Sequence, residues 1–292
     1  MFLERFFNYI SFEKRYSQHT ISSYRLDISQ FQAYLSISNI DLLSVNHHDI
    51  RGWILSLSDD GIENRSVNRK ISTLKTFYKF LVREGMLEIN PTQKISTPKI
   101  AKELPVFIEV DKMDFLLDNE FFDAGFEGER DRLVLEFLFG TGVRLIELIN
   151  IDNKNIDLVE GKVKVLGKRN KERIVPLSKT LVQLIEKYQN LKLSSFEGNI
   201  STSLIVTNKG TKVYPKFIYR IVRKYLSFVT TRKKRSPHVL RHTFATALLN
   251  AGADINAIKD LLGHANLAAT QIYTHNSIER IKSIYKQAHP KA

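Results

Sequence analysis

The chain has 292 residues, 43% hydrophobic and 26% charged, the balance of a folded protein and a length that suits two domains, each with its own core. Lysine plus arginine number 44 against 31 acidic residues, a formal charge of +13 that suits a polyanionic partner, nucleic acid first, although a solvated basic surface would account for the same excess. The absence of cysteine excludes disulfides, thiolate catalysis and cysteine-ligated zinc, and Glu4, Arg5, Glu13, Lys14 and Arg15 interrupt the apolar start before a signal-peptide core or membrane span forms, so a soluble cytoplasmic protein is expected.

From Phe2 to Met86 the pattern is helical. Ile21, Tyr24, Ile28, Phe31 and Leu35 recur every three or four residues behind Ser17, a suitable cap. A shorter helix is predicted over Asp49 to Leu57, with His47-His48 at its exposed start. A stronger one begins near Ser66, with Val67, Ile71, Leu74, Tyr78 and Leu81 on its apolar face and Gly85 as its stop. Its polar side carries Arg65, Arg69, Lys70, Lys75 and Lys79, a row of cations that either faces phosphates or is simply solvated.

Pro91, Pro98 and Pro105 lie in a stretch without periodicity, which reads as a linker over residues 89–105 between an N-terminal domain, 1–88, and a C-terminal domain, 106–292. Helices are then predicted near Asp111 to Leu117 and from Glu129 to Phe139, followed by the turn Gly140-Thr141-Gly142 and a helix resuming at Val143. Gly161 to Leu166 and Arg173 to Leu177 are short β-type runs joined by a polar stretch that puts Lys168 at the rim of a hairpin. The remainder is helical: Leu181 to Leu191, Lys216 to Val229, His238 to Asn250, Ile255 to Leu262, Ala268 to Tyr273 and Ile278 to Ala288. The fold class is mainly α with a small β-sheet.

Four pieces can carry chemistry. In Ser236-Pro237-His238-Val239-Leu240-Arg241 proline opens a helix and His238 and Arg241, three apart, share a face. In Leu261-Leu262-Gly263-His264 a glycine ends a helix and presents a histidine, and Tyr273 follows shortly after. In Thr141-Gly142-Val143-Arg144 a turn delivers an arginine with Glu147 on the same side. Lys168 is the fourth. Taken singly each is ordinary: a surface arginine or turn lysine, a capping histidine, a half-buried tyrosine.

Together and in this order, the pieces resemble the tyrosine recombinases, most closely those of the bacterial Xer type. The resemblance extends through Ser17-Gln18-His19-Thr20 and Tyr24, the Ser66 to Leu81 helix, Asn90-Pro91 and the tail His289-Pro290-Lys291-Ala292. It implies an N-terminal helical core-binding domain and a C-terminal catalytic domain forming a C-shaped DNA clamp. It also implies a catalytic set of Arg144, Lys168, His238, Arg241, His264 and Tyr273, and DNA contacts from Thr20, Tyr24, Arg65, Arg69, Lys70 and Lys75. Ile146, Arg169 and Ala269 depart from the small serine, the hairpin glycine and the threonine usual in the family.

The implied chemistry makes Tyr273 the nucleophile on a backbone phosphate, giving a 3'-phosphotyrosyl link and a free 5'-hydroxyl, so that bond energy is kept for rejoining. Arg144 and Arg241 would grip the non-bridging oxygens, His238 and His264 would hydrogen-bond them or help move the tyrosine proton, and Lys168 would protonate the departing oxygen. No metal or other cofactor is implied. The implied partners are a double-stranded recombination site, three further protomers in a homo- or hetero-tetramer with a paralogue, and an FtsK-type DNA translocase, with no membrane. The apolar stripe Ile278, Ile281, Ile284 and Tyr285 would dock on a neighbouring subunit. Chromosome dimer resolution at cell division is the implied task. An integrase or invertase of a mobile element would use the same six residues, though no room is seen before Phe2 for an arm-binding domain. A topoisomerase-like nicking enzyme would need the same nucleophile, and a non-catalytic DNA-binding protein is the alternative from another class.

Overall fold

The computed structural model describes residues 2–100, 106–118, 121–167, 171–198 and 200–263. The chain divides into two compact units, Met1–Glu103 and Leu104–Ala292, and is mainly helical with one small antiparallel sheet, as the sequence patterning predicts.

The first unit holds α1 (Phe2–Asn8), which runs on into a turn of π-helix, then α2 (Gln18–Ser36), α3 (His47–Asp59) and α4 (Asn64–Arg83). Ser17 caps α2 as expected, its Oγ accepting from the Thr20 N–H at 3.3 Å. Helix α3 starts two residues before its predicted start because Asn46 and Asp49 form a reciprocal capping box, the Asn46 N–H donating to Asp49 Oδ2 at 2.8 Å. The predicted stripe of α4, Val67, Ile71, Leu74, Tyr78 and Leu81, is wholly buried. It packs in an aromatic core where Phe6 meets Phe77 edge-on at 5.1 Å and Phe31 lies 4.8 Å from Trp53. Beyond α4 the Met86 N–H donates to Leu81 O and that of Gly85 to Val82 O, the two bonds of a Schellman stop.

The stretch 89–105 is not a free linker over its described part. Ile95 is buried in the first unit's core, and the side-chain amides of Asn64 and Asn68 on α4 donate to the carbonyls of Lys99 (3.1 Å) and Pro98 (2.9 Å). These contacts hold the proline-containing segment against the first unit.

In the second unit α5 (Val110–Asp118), α6 (Phe126–Thr141) and the short α7 (Leu145–Ile149) lead into β1 (Ile156–Asp157), β2 (Lys162–Leu166) and β3 (Glu172–Pro176). Then come α8 (Lys179–Ser195), α9 (Pro215–Val229), α10 (Pro237–Asn250) and α11 (Ile255–Leu262). Every residue from Leu133 to Thr141 is buried, so α6 is the central helix, and α8, α9 and α10 pack around it. The strands pair antiparallel in chain order, with Val163 opposite Val175 and Val165 opposite Arg173. Strand β1, two residues long, is too short to show a period and was not expected from the sequence. Among the described residues no helix is long and apolar enough to cross a membrane. The helices expected over Ala268 to Tyr273 and Ile278 to Ala288 lie outside the described residues.

Candidate active site

The site begins where α6 ends. Gly142 takes a left-handed conformation (φ 60°), and a Cβ there would come within 2.4 Å of Phe244 Cδ1 and 2.8 Å of Leu262 Cδ2. Glycine is therefore required both for the turn and for the approach of α10 and α11. The chain then extends through Arg144, the residue capping α7 (φ −74°, ψ 151°), so the helix starts at Leu145, two residues later than the start predicted at Val143.

Glu147 faces back onto Arg144, as its spacing predicts: Oε2 accepts from the Arg144 backbone N–H and Oε1 from Arg144 Nη1, both at 2.8 Å. A second arginine completes the set. Arg173 on β3 donates Nη1 to Glu147 Oε1 at 2.9 Å and Nη2 to Oε2 at 2.7 Å. Four donors thus meet the carboxylate's four acceptor positions. The Glu147 and Arg173 side chains are only 2% and 5% exposed. Burial alone would push the Glu147 carboxyl up, but the bonds and charge of Arg173, with those of Arg144, outweigh it and hold the group below its usual range.

Arg173 is the residue that motif reading missed, although the pattern contains a signal for it. It lies in phase with Val175 and Leu177, and period-two alternation puts all three on the inward face, where an unpaired cation is not tolerated.

The end of α11 gathers the arginines. Its final carbonyls have no partner within the helix. Gly263, left-handed at φ 66°, donates its N–H to the carbonyls of Lys259 and Asp260. The next three carbonyls each accept from a different guanidinium: Leu261 O from Arg173 Nε at 2.9 Å, Leu262 O from Arg241 Nη2 at 2.6 Å, and Gly263 O from Arg144 Nη2 at 3.0 Å. Three cations at the negative end of a helix also complement its dipole. Arg241 further donates Nη1 to Gly142 O, so it bridges the ends of α6 and α11. Burial first, then the nearby charge of Arg144, pushes the Arg241 guanidinium down to about 10.

Arg144 and Arg241 are therefore brought together, and Arg144 keeps part of its side chain, 24%, open to solvent. His238 lies exposed in the first turn of α10, behind Pro237, one turn before Arg241. Ile146, beside Arg144, is half exposed. Lys168, His264 and Tyr273, like Arg169 and Ala269, lie outside the described residues. Their described chain neighbours touch the arginine cluster: a Cβ on Gly167 would meet Glu147 Oε1 at 3.5 Å, and one on Gly263 would meet Arg173 Nη1 at 3.2 Å.

In the first unit the row of cations on α4 is not uniform. Arg65 and Lys79 are exposed and Lys75 is half-buried, but Lys70 is buried and turns inward, its Nζ 3.1 Å from Asp27 Oδ1 and bonded also to Gln30. The reason is helical phase: Lys70 follows Arg69 by one residue, about 100° around the helix. Asp27, fully buried on α2, also accepts from Arg69 and, at 2.8 Å, from the Thr73 hydroxyl. Lys70 is thus a core ion-pair partner, not an open phosphate contact. Thr20 lies half-buried in the first turn of α2 and shares a hydrogen bond with Ser17 Oγ, while Tyr24 packs edge-on against Tyr16 and stacks on Phe6.

Comparison with known proteins bears on what such a cluster serves. The phage integrase family model matches residues 110–280, and that of the phage integrase N-terminal SAM-like domain matches residues 3–85. Tyrosine recombinase XerC of Chlorobaculum parvum is 34% identical over 317 residues, covering 99% of this chain and 94% of its own. Tyrosine recombinase XerD of Staphylococcus haemolyticus is 36% identical over 294 residues, covering 99% of each. Among solved structures, XerA recombinase is 30% identical, covers 100% of this chain and 99% of its own, and has a TM-score of 0.50. XerH site-specific recombinase bound to palindromic difH substrate shares the fold, with a TM-score of 0.72 at 22% identity over 90% of this chain and 78% of that one. Both domain matches, their order and the full-length similarity agree: the chain belongs to the phage integrase family, as a site-specific DNA recombinase of the Xer tyrosine type.

Proposed function

We propose that this recombinase cuts and rejoins DNA through a covalent intermediate on Tyr273, with Arg144 and Arg241 as the ligands of the scissile phosphate. The observation that carries the reading is the convergence of these two guanidiniums at the end of α11, three residues or fewer from His264 in the chain. A planar guanidinium offers paired donors matched to phosphate oxygens and keeps its charge at neutral pH. Anchored in advance, two of them stabilise the negative charge that develops on phosphorus without reorganising.

In the proposed step the Tyr273 oxygen attacks phosphorus, the bond to the 5'-oxygen breaks, and a 3'-phosphotyrosyl link replaces it. The tyrosine proton leaves with help from His238 or His264, since an unperturbed phenol has a pKa of about 10. Lys168 supplies the proton that the departing 5'-oxygen takes up. Rejoining runs the same exchange backward with a 5'-hydroxyl as nucleophile. Arg65, Arg69, Lys75 and Lys79 on α4, with Thr20 and Tyr24 on α2, form the DNA face of the first unit; Lys70 supports it from inside.

Four protomers on two sites exchanging strands through a Holliday junction, with chromosome dimer resolution as the task and an FtsK-type translocase as activator, complete the proposal. The full-length similarity to proteins named XerC and XerD supports it. The test uses nicked duplexes carrying candidate chromosome-terminus sites, comparing wild type with Tyr273→Phe for a denaturation-resistant protein–DNA adduct. An adduct that needs Tyr273 is expected. Tight binding without any adduct, even with a translocase domain added, would leave a non-catalytic DNA-binding role.

A further inference from the structure

We propose that Arg173 is a positioning residue for strand cleavage: it touches no DNA, and it sets where Arg144 and the chain leading to His264 are held. The inference rests on the reading of Arg144 as a phosphate ligand and Tyr273 as the nucleophile.

All three nitrogens of the Arg173 guanidinium are committed, Nη1 and Nη2 to the two oxygens of Glu147 and Nε to Leu261 O, in a site closed to solvent. Three of its five N–H donors are used there, two of them on an anion, and its side chain is 5% exposed where that of Arg144 is 24% exposed, so it is the less open of the two to a phosphate. Like Arg144 it bonds both Glu147 and the end of α11, but it grips both carboxylate oxygens with its side chain and does so out of solvent. Its bonds act on two sides. By filling half of the acceptor positions on Glu147, it leaves Arg144 only one side-chain bond to that carboxylate and frees Nη2 to reach Gly263 O. By holding Leu261 O, it fixes the first of the three carbonyls from which the chain runs on to His264.

Its place in sequence adds a third connection. Arg173 stands on β3, five residues after Lys168 in the chain, and Gly167, just before Lys168, lies against the same pair, with Arg173 Nη1 3.6 Å from where its Cβ would be. One residue thus ties the base of the hairpin, the acid beneath Arg144 and the exit of α11. A lysine could not replace it, because a single ammonium on a flexible stem does not bond two carboxylate oxygens and a separate carbonyl in one plane.

The experiment takes a duplex selected from a random-sequence pool by the wild-type protein, nicked in turn at each position, and follows adduct formation at increasing protein concentration in a single turnover. Wild type, Tyr273→Phe, Arg173→Lys and Arg173→Ala are compared. Arg173→Lys, assayed at a temperature where it is fully folded, is expected to keep the half-saturating concentration while its maximal rate falls by about tenfold or more, the size of effect that a misplaced reacting group produces. Arg173→Ala is expected to fall further and to regain rate when methylguanidinium is added well below denaturing concentration. Arg173→Lys cleaving as fast as wild type would overturn the proposal while leaving the nucleophile intact. Loss of cleavage that only tracks loss of folded protein or of DNA binding would also overturn it, as a structural role would do no more. If the wild type itself forms no adduct that depends on Tyr273, the underlying reading fails and the proposal falls with it.

Discussion

Arg241 and Arg144 donate to consecutive carbonyls, those of Leu262 and Gly263, at the end of α11. The two side chains come from different elements, the second turn of α10 and the residue before α7, and meet only because α11 offers unpaired acceptors at its end. Backbone acceptors cannot rotate away as side chains do. The arginines are therefore oriented by folding, and if they bind the scissile phosphate as proposed, they need no reordering when it arrives.

Arg241→Lys should show this. A lysine offers one nitrogen in place of the two that reach Gly142 O and Leu262 O, so one buried carbonyl is expected to lose its partner. A loss of about 1–3 kcal/mol in urea unfolding of the second unit is expected, the cost of an unsatisfied buried acceptor. Adduct formation should fall by far more than that instability accounts for when both are measured at the same temperature.

Glu147 gives a pH signature. Its carboxyl is held below the usual range in the folded protein, so it contributes stability that is complete above the ordinary glutamate value of about 4.3 and is lost as pH falls through its lower folded value. Wild type should therefore lose stability in acid more steeply than Glu147→Gln. At neutral pH the variant should be the weaker by about 3 kcal/mol, since two guanidiniums lose their anion in a buried site. Urea midpoints from neutral pH down to about pH 3 check both the slope and its sign.

The first unit holds both buried and exposed cations on α4, and the two classes should behave differently. Asp27→Ala leaves Lys70 buried without its anion and should cost about 3–5 kcal/mol. Arg65→Ala, at an exposed position, should change stability by less than about 0.5 kcal/mol. It should nonetheless weaken DNA binding and lower the slope of log affinity against log salt by about one. Denaturation and fluorescence anisotropy on the same samples distinguish the two classes. An Arg65→Ala protein with an unchanged salt slope would remove α4 from the DNA face.

Local patterns were legible where one element decides them. Ser17 as a cap, the apolar stripe of α4, the stop at Gly263 and the pairing of Arg144 with Glu147 all follow from spacings of four residues or fewer. What escaped depends on contacts distant in sequence. Arg173 acquires its meaning from Glu147, 26 residues away, and Leu261, 88 residues away. Lys70 was counted with the solvent-facing cations because its partner Asp27 stands on another helix, 43 residues earlier. In both cases an inward helical or strand phase was visible, and only the buried anion that justifies it was not.

Gly142 tests how closely the site depends on packing at its turn. Two costs fall on Gly142→Ala: a left-handed backbone at φ 60°, about 1–2 kcal/mol for a residue with a Cβ, and a methyl group driven into Phe244 and Leu262. Gly252→Ala in the same unit carries the first cost alone, since φ is 85° and nothing lies within 4 Å of its Cβ position. The difference between their urea midpoints therefore isolates the packing cost, expected at about 1–3 kcal/mol. Relief of the clash would have to move Leu262, whose carbonyl holds Arg241, or the turn whose Gly142 carbonyl holds the same guanidinium. Gly142→Ala should for that reason lose cleavage at temperatures where it is still folded, while Gly252→Ala keeps it. Equal cleavage by the two folded variants would mean that Arg241 tolerates movement of both its anchors.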